Sequence, residues 1–283
     1  MSRLCLVLLL LPLLASAGGT TQAQPPNLLD TESAQGYALG GAYHALGYGA
    51  DSITGNPAAM SLYKRYLLQA SGAYDFTNKF GYGTIGLQDS TTEWAAGLSY
   101  QFVAYGPAGE RRTAHLTTAA TSYAITESFA VGIAVRHEAI VGYHSSNSVT
   151  MNAGIVVRPF QYMQIGLAGN NLIGVWNDDV PRYFTLSLAG TLPYMITPIF
   201  DLRADFNDPK GVRFVYSGGI EWIALETIPI RAGYDYDTIS HTQHVGFGLG
   251  YFSEGSGIDI AYRHEINGTN GHLVALTLKI QFQ

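Results

Sequence analysis

The chain has 283 residues, of which only 13% are charged, and a formal net charge of −6. Soluble domains carry about 25% charged residues and nucleic-acid-binding domains carry a basic excess, so the composition fits neither class. Its single cysteine, Cys5, lies so early that a disulfide framework, a zinc–thiolate site and a cysteine nucleophile are all excluded from the rest of the chain.

Taken in order, the chain opens like a secretory signal peptide. Arg3 supplies a positive start, residues 4–14 form an apolar run, and Ala15-Ser16-Ala17 is a small-residue cleavage pattern. That run is about half the roughly 20 residues of a spanning helix. A signal peptide is expected over residues 1–23, with cleavage after Ala17 or after Ala23. No later apolar run approaches 18 residues, so a helical membrane protein is excluded. Export, low charge, 33 glycines and 19 tyrosines instead match a transmembrane β-barrel, whose apolar outer face and polar inner face average to a middling hydropathy.

Residues 36–60 read GYALGGAYHALGYGADSITGNPAAM. They show neither a helical stripe nor strand alternation. Such a segment cannot face lipid, because hydrocarbon offers no partners for unpaired amides. Its small residues suit a compact plug inside a barrel. Residues 24–62 are therefore expected to form an N-terminal segment with a lumenal hatch, and residues 63–283 the barrel.

From residue 63 onward the period is two. Tyr66, Leu68, Ala70, Gly72, Tyr74 and Phe76 share one face, as do Trp94, Ala96, Leu98, Tyr100 and Phe102. Residues 80–87 and 115–123 alternate less cleanly. Later runs are sharper. Val245, Phe247, Leu249 and Tyr251 alternate with glycine only, and Val274, Leu276, Leu278, Ile280 and Phe282 oppose Ala275, Thr277, Lys279 and Gln281. Turn residues such as Asn78-Lys79 and the 267–271 run separate these stretches. The count predicts an all-β protein, a transmembrane antiparallel β-barrel of about 14 strands.

The stretch SAQGYALGGAYHALGYGADSITGNPAAMSLYKRYLL resembles the N-terminal signature of FadL/TodX-type outer-membrane transporters and their PorV-like relatives. The matching residues are Gly40-Gly41-Ala42-Tyr43, Asp51 and Asn56-Pro57-Ala58, with Ala59 where the family usually has glycine. Further pieces in the expected order are IGLAGNNLIGV with Asn170-Asn171, VPRYFTLSLAG with Pro181-Arg182, and GGIEWIALETIPIRAGY. The resemblance implies a 14-stranded barrel with an N-terminal hatch in a diderm outer membrane. It further implies passage of small hydrophobic, fatty-acid-like molecules or, in the PorV-like alternative, service to a secreted or surface-attached protein. Connections here are short, so a loop-borne capture groove is not carried over.

Charge decides which face is inside. Asp201, Arg203, Asp205, Arg213, Glu221, Arg231, Asp235, Asp259, Arg263 and Lys279 share the polar faces of the later strands. An Arg or Lys facing lipid at the bilayer midplane costs about 2–4 kcal/mol, so this set is expected to face the lumen, with Asp51 and Asn56 docking onto its arginines. Aromatic residues near strand ends, including Tyr66, Tyr105, Tyr143, Trp176, Tyr183, Trp222 and Phe282, are expected to form interfacial girdles. The near-terminal Phe282 resembles the signal read by the barrel assembly machinery. Partners are then outer-membrane lipids, that machinery, and a hydrophobic molecule or a secreted protein. No nucleic acid and no cofactor is expected. His241 and His244, three apart on a strand, fall on opposite faces, and no Gly-x-Ser-x-Gly nucleophile motif occurs, so no enzyme activity is expected.

Overall fold

The structure is a computed structural model that describes residues 32–47, 49–106, 110–142, 145–174, 181–206, 208 and 210–282. The expected signal peptide over 1–23 lies outside the described residues. Fourteen antiparallel strands close into one barrel. They are β1 (Tyr66–Asp75), β2 (Phe80–Asp89), β3 (Trp94–Tyr105), β4 (Arg112–Thr126), β5 (Phe129–Gly142), β6 (Ser146–Phe160) and β7 (Met163–Asn170), followed by β8 (Tyr183–Gly190), β9 (Ile196–Asp205), β10 (Arg213–Ala224), β11 (Ile228–Asp237), β12 (Gln243–Ser253), β13 (Ser256–Asn267) and β14 (His272–Phe282). Each strand pairs with its sequence neighbours. The seam is β1 on β14, running from Tyr66 opposite Phe282 to Asp75 opposite Leu273. Closure removes every sheet edge, which hydrocarbon demands.

Tyr66 and Phe282 mark one end of the barrel, called the near end. The loops that follow odd-numbered strands gather at the opposite, far end. Along β14, Leu273, Ala275, Thr277 and Lys279 are buried while Val274, Leu276, Leu278 and Ile280 are exposed. The same parity holds along β9 and β11, where Asp201, Arg203, Arg231 and Asp235 are buried and Phe200, Ile230 and Tyr234 are exposed. The lumen is therefore the filled side and the outer wall is apolar.

β2 and β4 explain the two weak alternations. On β2 the inward residues are Phe80 and Tyr82, opposed outward by Gly81 and Gly83; on β4 they are Ala114, Leu116 and Ala120, opposed by Thr117, Ala119 and Thr121. Apolar residues point inward there, so the polarity contrast that marks a strand is blurred rather than missing.

At the near end Trp94 packs on Tyr123 at 4.7 Å between ring centroids and Tyr66 on Phe282 at 6.4 Å. This is the expected girdle, with two corrections. Tyr105 and Tyr183 are 1% and 6% exposed and point into the lumen; both lie on inward parity in their strands, which outweighs their place near strand ends. Tyr143 and Trp176 lie outside the described residues.

Candidate functional site

The N-terminal segment sits inside the barrel and is almost wholly buried. Helix α1 (Ala34–Ala38) is capped by Ser33, whose side chain accepts from the Gly36 amide. Gly40 and Gly41 follow with φ of 66° and 82°, values that non-glycine residues rarely adopt. A Cβ on Gly40 would stand 2.7 Å from the Tyr234 backbone. Short helix α2 (Asp51–Thr54) leads to a 3-10 helix over Pro57–Leu62. The Asn-Pro-Ala motif has a local cause. Asn56 is the N-cap, accepting from Ala58 N at 3.2 Å, and Pro57 fills the first helical position, where no amide donor is needed. The Asn56 amide also donates to His44 O at 2.8 Å, tying two turns of the segment together.

The wall receives this segment through glycine. A Cβ on Gly219 would lie 2.8 Å from Leu39 O, one on Gly97 2.8 Å from Ile53, and one on Gly86 2.5 Å from Ala50. Gly132 meets Ala58, Gly154 meets Asn56, Gly166 meets His44 O, Gly233 meets Leu39 and Gly246 meets Tyr37 O, all closer than a side chain permits. Strands β2, β3, β5, β6, β7, β10, β11 and β12 each contribute. Gly246 and Gly248 are thus part of the floor on which α1 rests, while Gly250 leaves room for Asp259 and Pro229 of the wall.

Polar contacts complete the seating. Asp201 Oδ2 accepts from the backbone amides of Tyr43 at 3.0 Å and His44 at 3.2 Å, and lies 2.7 Å from His44 Nδ1; its other oxygen takes the Ser187 hydroxyl. Thr277 Oγ1 accepts from Ala34 N at 2.9 Å, and Lys279 Nζ donates to Gln35 Oε1 at 2.9 Å. Asn152 and Asn170 both donate to Thr54 O at 3.0 Å. Asp51 and Asn56 do not dock onto arginines as expected. Asp51 accepts from Ser33 Oγ within the same segment, and Asn56 is used up in capping. The arginines that do reach the segment meet its backbone instead: Arg136 Nη2 lies 3.5 Å from Thr54 O, Arg158 Nη2 donates to Leu62 O at 3.2 Å, and Arg65 Nη2 donates to Gly47 O.

The ten charged residues expected inside share one side of the lumen, on β9 to β14. Arg231 Nε donates to Glu221 at 2.6 Å and its Nη1 to Asp259 at 2.5 Å, and Lys279 lies 3.1 Å from the other Asp259 oxygen. Asp235 takes Arg263 at 2.7 Å and His244 at 2.8 Å. Arg213 pairs with Asp237. Arg203 stacks over Tyr183 at 5.4 Å and Arg263 over Tyr37 at 5.5 Å. Asp205 is buried beside Arg213 across the strand pair. Charges here neutralise neighbours along the wall.

The other side of the lumen differs. At the far end, Phe80, Tyr82, Val103, Tyr105, Leu116 and Ile140 form a buried cluster with Leu273 and with Tyr37 of α1; the Tyr37 and Tyr82 rings are 6.2 Å apart. Sequence reading missed this cluster, whose signal was the blurred alternation of β2 and β4. It also missed Arg136 and Glu138 on β5, both buried, although their spacing of two places them on one face. Between the segment and the wall lies a cavity of about 10 Å³ lined by Tyr43, His44, Thr54, Gln101, Arg136 and Asn170, room for one water. Among the described residues no group of three or more His, Asp or Glu side chains is placed to hold a metal.

Sequence comparison finds no matching family model and no matching curated protein. Comparison of structures does find relatives in fold. A monoaromatic hydrocarbon channel, CymD, superposes with a TM-score of 0.70 at 12% identity, over 90% of this chain and 98% of its own. The chain has the fold of a FadL/TodX-type barrel. The Pseudomonas putida toluene transporter TodX superposes with a TM-score of 0.66 at 13% identity, over 89% of this chain and 97% of its own, and a Pseudomonas aeruginosa FadL homologue with 0.66 at 12%, over 88% and 98%. Within this fold, the buried N-terminal segment and the apolar cluster at the far end are the features that fill the lumen.

Proposed function

We propose that the protein is a bacterial outer-membrane barrel that admits small hydrophobic molecules and passes them when its N-terminal segment shifts. The observation that carries this reading is the far-end cluster. A lumen serving polar solutes has no use for Phe80, Val103, Leu116 and Ile140 on its inner face, whereas an apolar molecule gains about 25 cal/mol for each Å² it buries there. The similar solved structures include channels described as carrying monoaromatic hydrocarbons and toluene, which agrees with that chemistry. The segment acts as a hatch in this reading, with Gly40, Gly41, Ala42, Tyr43, Asp51, Asn56, Pro57 and Ala58 forming its turns. No step in this function requires catalysis.

A second reading has its own support. The glycine contacts pack the segment closely against the wall, and the cavity beside it has room for about one water. A barrel that stays closed would serve as a PorV-like scaffold for an exported protein. One experiment separates the two. The full chain and a variant lacking residues 36–60 are reconstituted in planar bilayers and in liposomes loaded for uptake of a fluorescent fatty acid. Transport predicts uptake by the full chain and higher conductance on deletion. No uptake by the full chain, together with a stoichiometric protein retained through purification, selects the scaffold.

A further inference from the structure

We propose that the outer face of the far end is a docking belt for phosphate-bearing lipid headgroups, with His115, His241 and His272 as its hydrogen-bond donors. This goes beyond the transport reading and rests only on the barrel lying in a membrane.

Three histidines at that end are held in the same way. The Nδ1 of His115 lies 2.7 Å from the Tyr100 hydroxyl, that of His241 3.0 Å from Tyr236, and that of His272 2.6 Å from Tyr262. Two of the three share one construction. Tyr100 stands opposite Thr117 on β4, and Tyr262 opposite Val274 on β14. In each pair the histidine lies two residues closer to the far end on the partner strand, and a second ring flanks it. Phe102 lies 5.3 Å from His115 and His264 lies 4.8 Å from His272, centroid to centroid. Tyr100 and Tyr262 are each 40% exposed, so these pairs sit on the outside of the wall.

The chemistry follows from the tautomer. A neutral imidazole whose Nδ1 accepts a tyrosine hydroxyl carries its proton on Nε2. Nε2 takes no partner among the described residues in any of the three rings. In this tautomer each ring, oriented by its tyrosine, presents an N–H to whatever surrounds the barrel. Tyrosines at this level mark the boundary between hydrocarbon and headgroups. The nearby far-end carboxylates are turned elsewhere, Asp75 to the 77–78 turn and Glu265 to Thr269. An oriented donor at headgroup depth, above an apolar face of Leu98, Ile260 and Leu276, fits an anionic, acceptor-rich group carried on acyl chains. The near-end girdle has no histidine among the described residues; Trp94, Trp222, Tyr66 and Phe282 serve there. The belt thus belongs to one leaflet.

The test uses the full chain in non-ionic detergent, with native mass spectrometry of retained lipid. The probes are phosphatidylglycerol and a glucosyl diacylglycerol with the same acyl chains. The native protein should retain phosphatidylglycerol in preference, and H115F/H241F/H272F should retain it roughly tenfold less, the equivalent of one charge-assisted hydrogen bond. Trp222→Phe, at the other end, should change nothing. Heat-modifiable gel mobility verifies that each variant is folded and inserted, independently of lipid choice and of transport. If the triple variant does not fold, nitrogen-15 spectra of the native histidines decide, because phosphatidylglycerol but not the glucosyl lipid should shift their Nε2 signals. Equal retention of the two lipids by the native protein, undiminished retention by the folded triple variant, or unshifted Nε2 signals would overturn the proposal.

Discussion

The two sides of the lumen hold the same segment by different physics. On β9 to β14, acids and bases interlock: Arg231 is 2% exposed and grips two carboxylates that are themselves 2% and 0% exposed. On β2 to β7, amides, hydroxyls and apolar side chains meet the segment, joined by Arg136 and Arg158, which donate to its backbone carbonyls. A desolvated ion pair is rigid, because moving either partner alone strands a charge at a cost of several kcal/mol. Apolar and amide contacts can be exchanged a little at a time. The barrel is therefore fixed on its charged side and can yield on the side next to the apolar cluster.

Substitutions can break this contrast. Arg231→Ala should have the largest effect, about 3–5 kcal/mol of destabilisation, because Glu221 and Asp259 are left buried without their shared cation. Urea unfolding of the barrel in lipid vesicles measures it, and a loss below about 1 kcal/mol would mean that the charged side is wet. Leu116→Ala, on the other side, should cost about 3 kcal/mol through the cavity it leaves. In the transport reading it should also speed uptake of a hydrophobic probe, whereas Arg231→Ala should not without loosening the whole barrel. Uptake unchanged in a folded Leu116→Ala protein would remove the cluster from the path.

Two further substitutions probe the outer face and the wet end of the charged side. Leu278→Arg, on the outer face, should cost roughly 2–4 kcal/mol if it lies near the midplane and less toward an interface. Lys279→Leu, one residue along, would instead disturb the Asp259 contact inside. Refolding yields of the two variants test the inward and outward assignment directly. Arg213→Ala should be mildest, about 1 kcal/mol or less, since Arg213 is 26% exposed and its pairing with Asp237 is screened by water. A loss as large as that of Arg231→Ala would contradict the idea that the ion pairs grade from dry to wet.

Much of this was legible in the sequence because the bilayer imposes a simple rule. Charged residues at intervals of two, as in Asp201, Arg203 and Asp205, can only point one way, which gives the inward set, and the period of two broken by turn residues gives the all-β class and the strand number. The segment's position followed from its lack of any period. Its contacts did not. Asn56 looked like a docking group, yet the proline after it makes it a cap, and capping is local geometry that outcompetes a distant arginine. The pairing of His44 with Asp201 joins residues 157 apart in sequence, and no spacing rule reaches that far. The far-end cluster was hidden for a different reason. Strand reading relies on contrast between faces, and where small or hydroxyl residues stand outside and aromatic ones inside, the contrast fades although the strand does not.

The glycines that line the wall bear on the order of events during assembly. α1 is bonded to Thr277 and Lys279 of β14, while Gln69 of β1 accepts from the Ala50 amide, so the segment spans both sides of the seam. Backbone meets backbone on five strands, at Gly132, Gly166, Gly219, Gly233 and Gly246, and side chains of the segment press on glycine at Gly86, Gly97 and Gly154. A chain threaded into a finished barrel would have to slide through that fit while breaking and remaking each contact. The segment is better placed as the mandrel: the sheet curls around it, and the β1–β14 edge zips last over a shape already present. Shortening or exchanging the segment would then show first in the yield of closed barrels, before any change in what they let through.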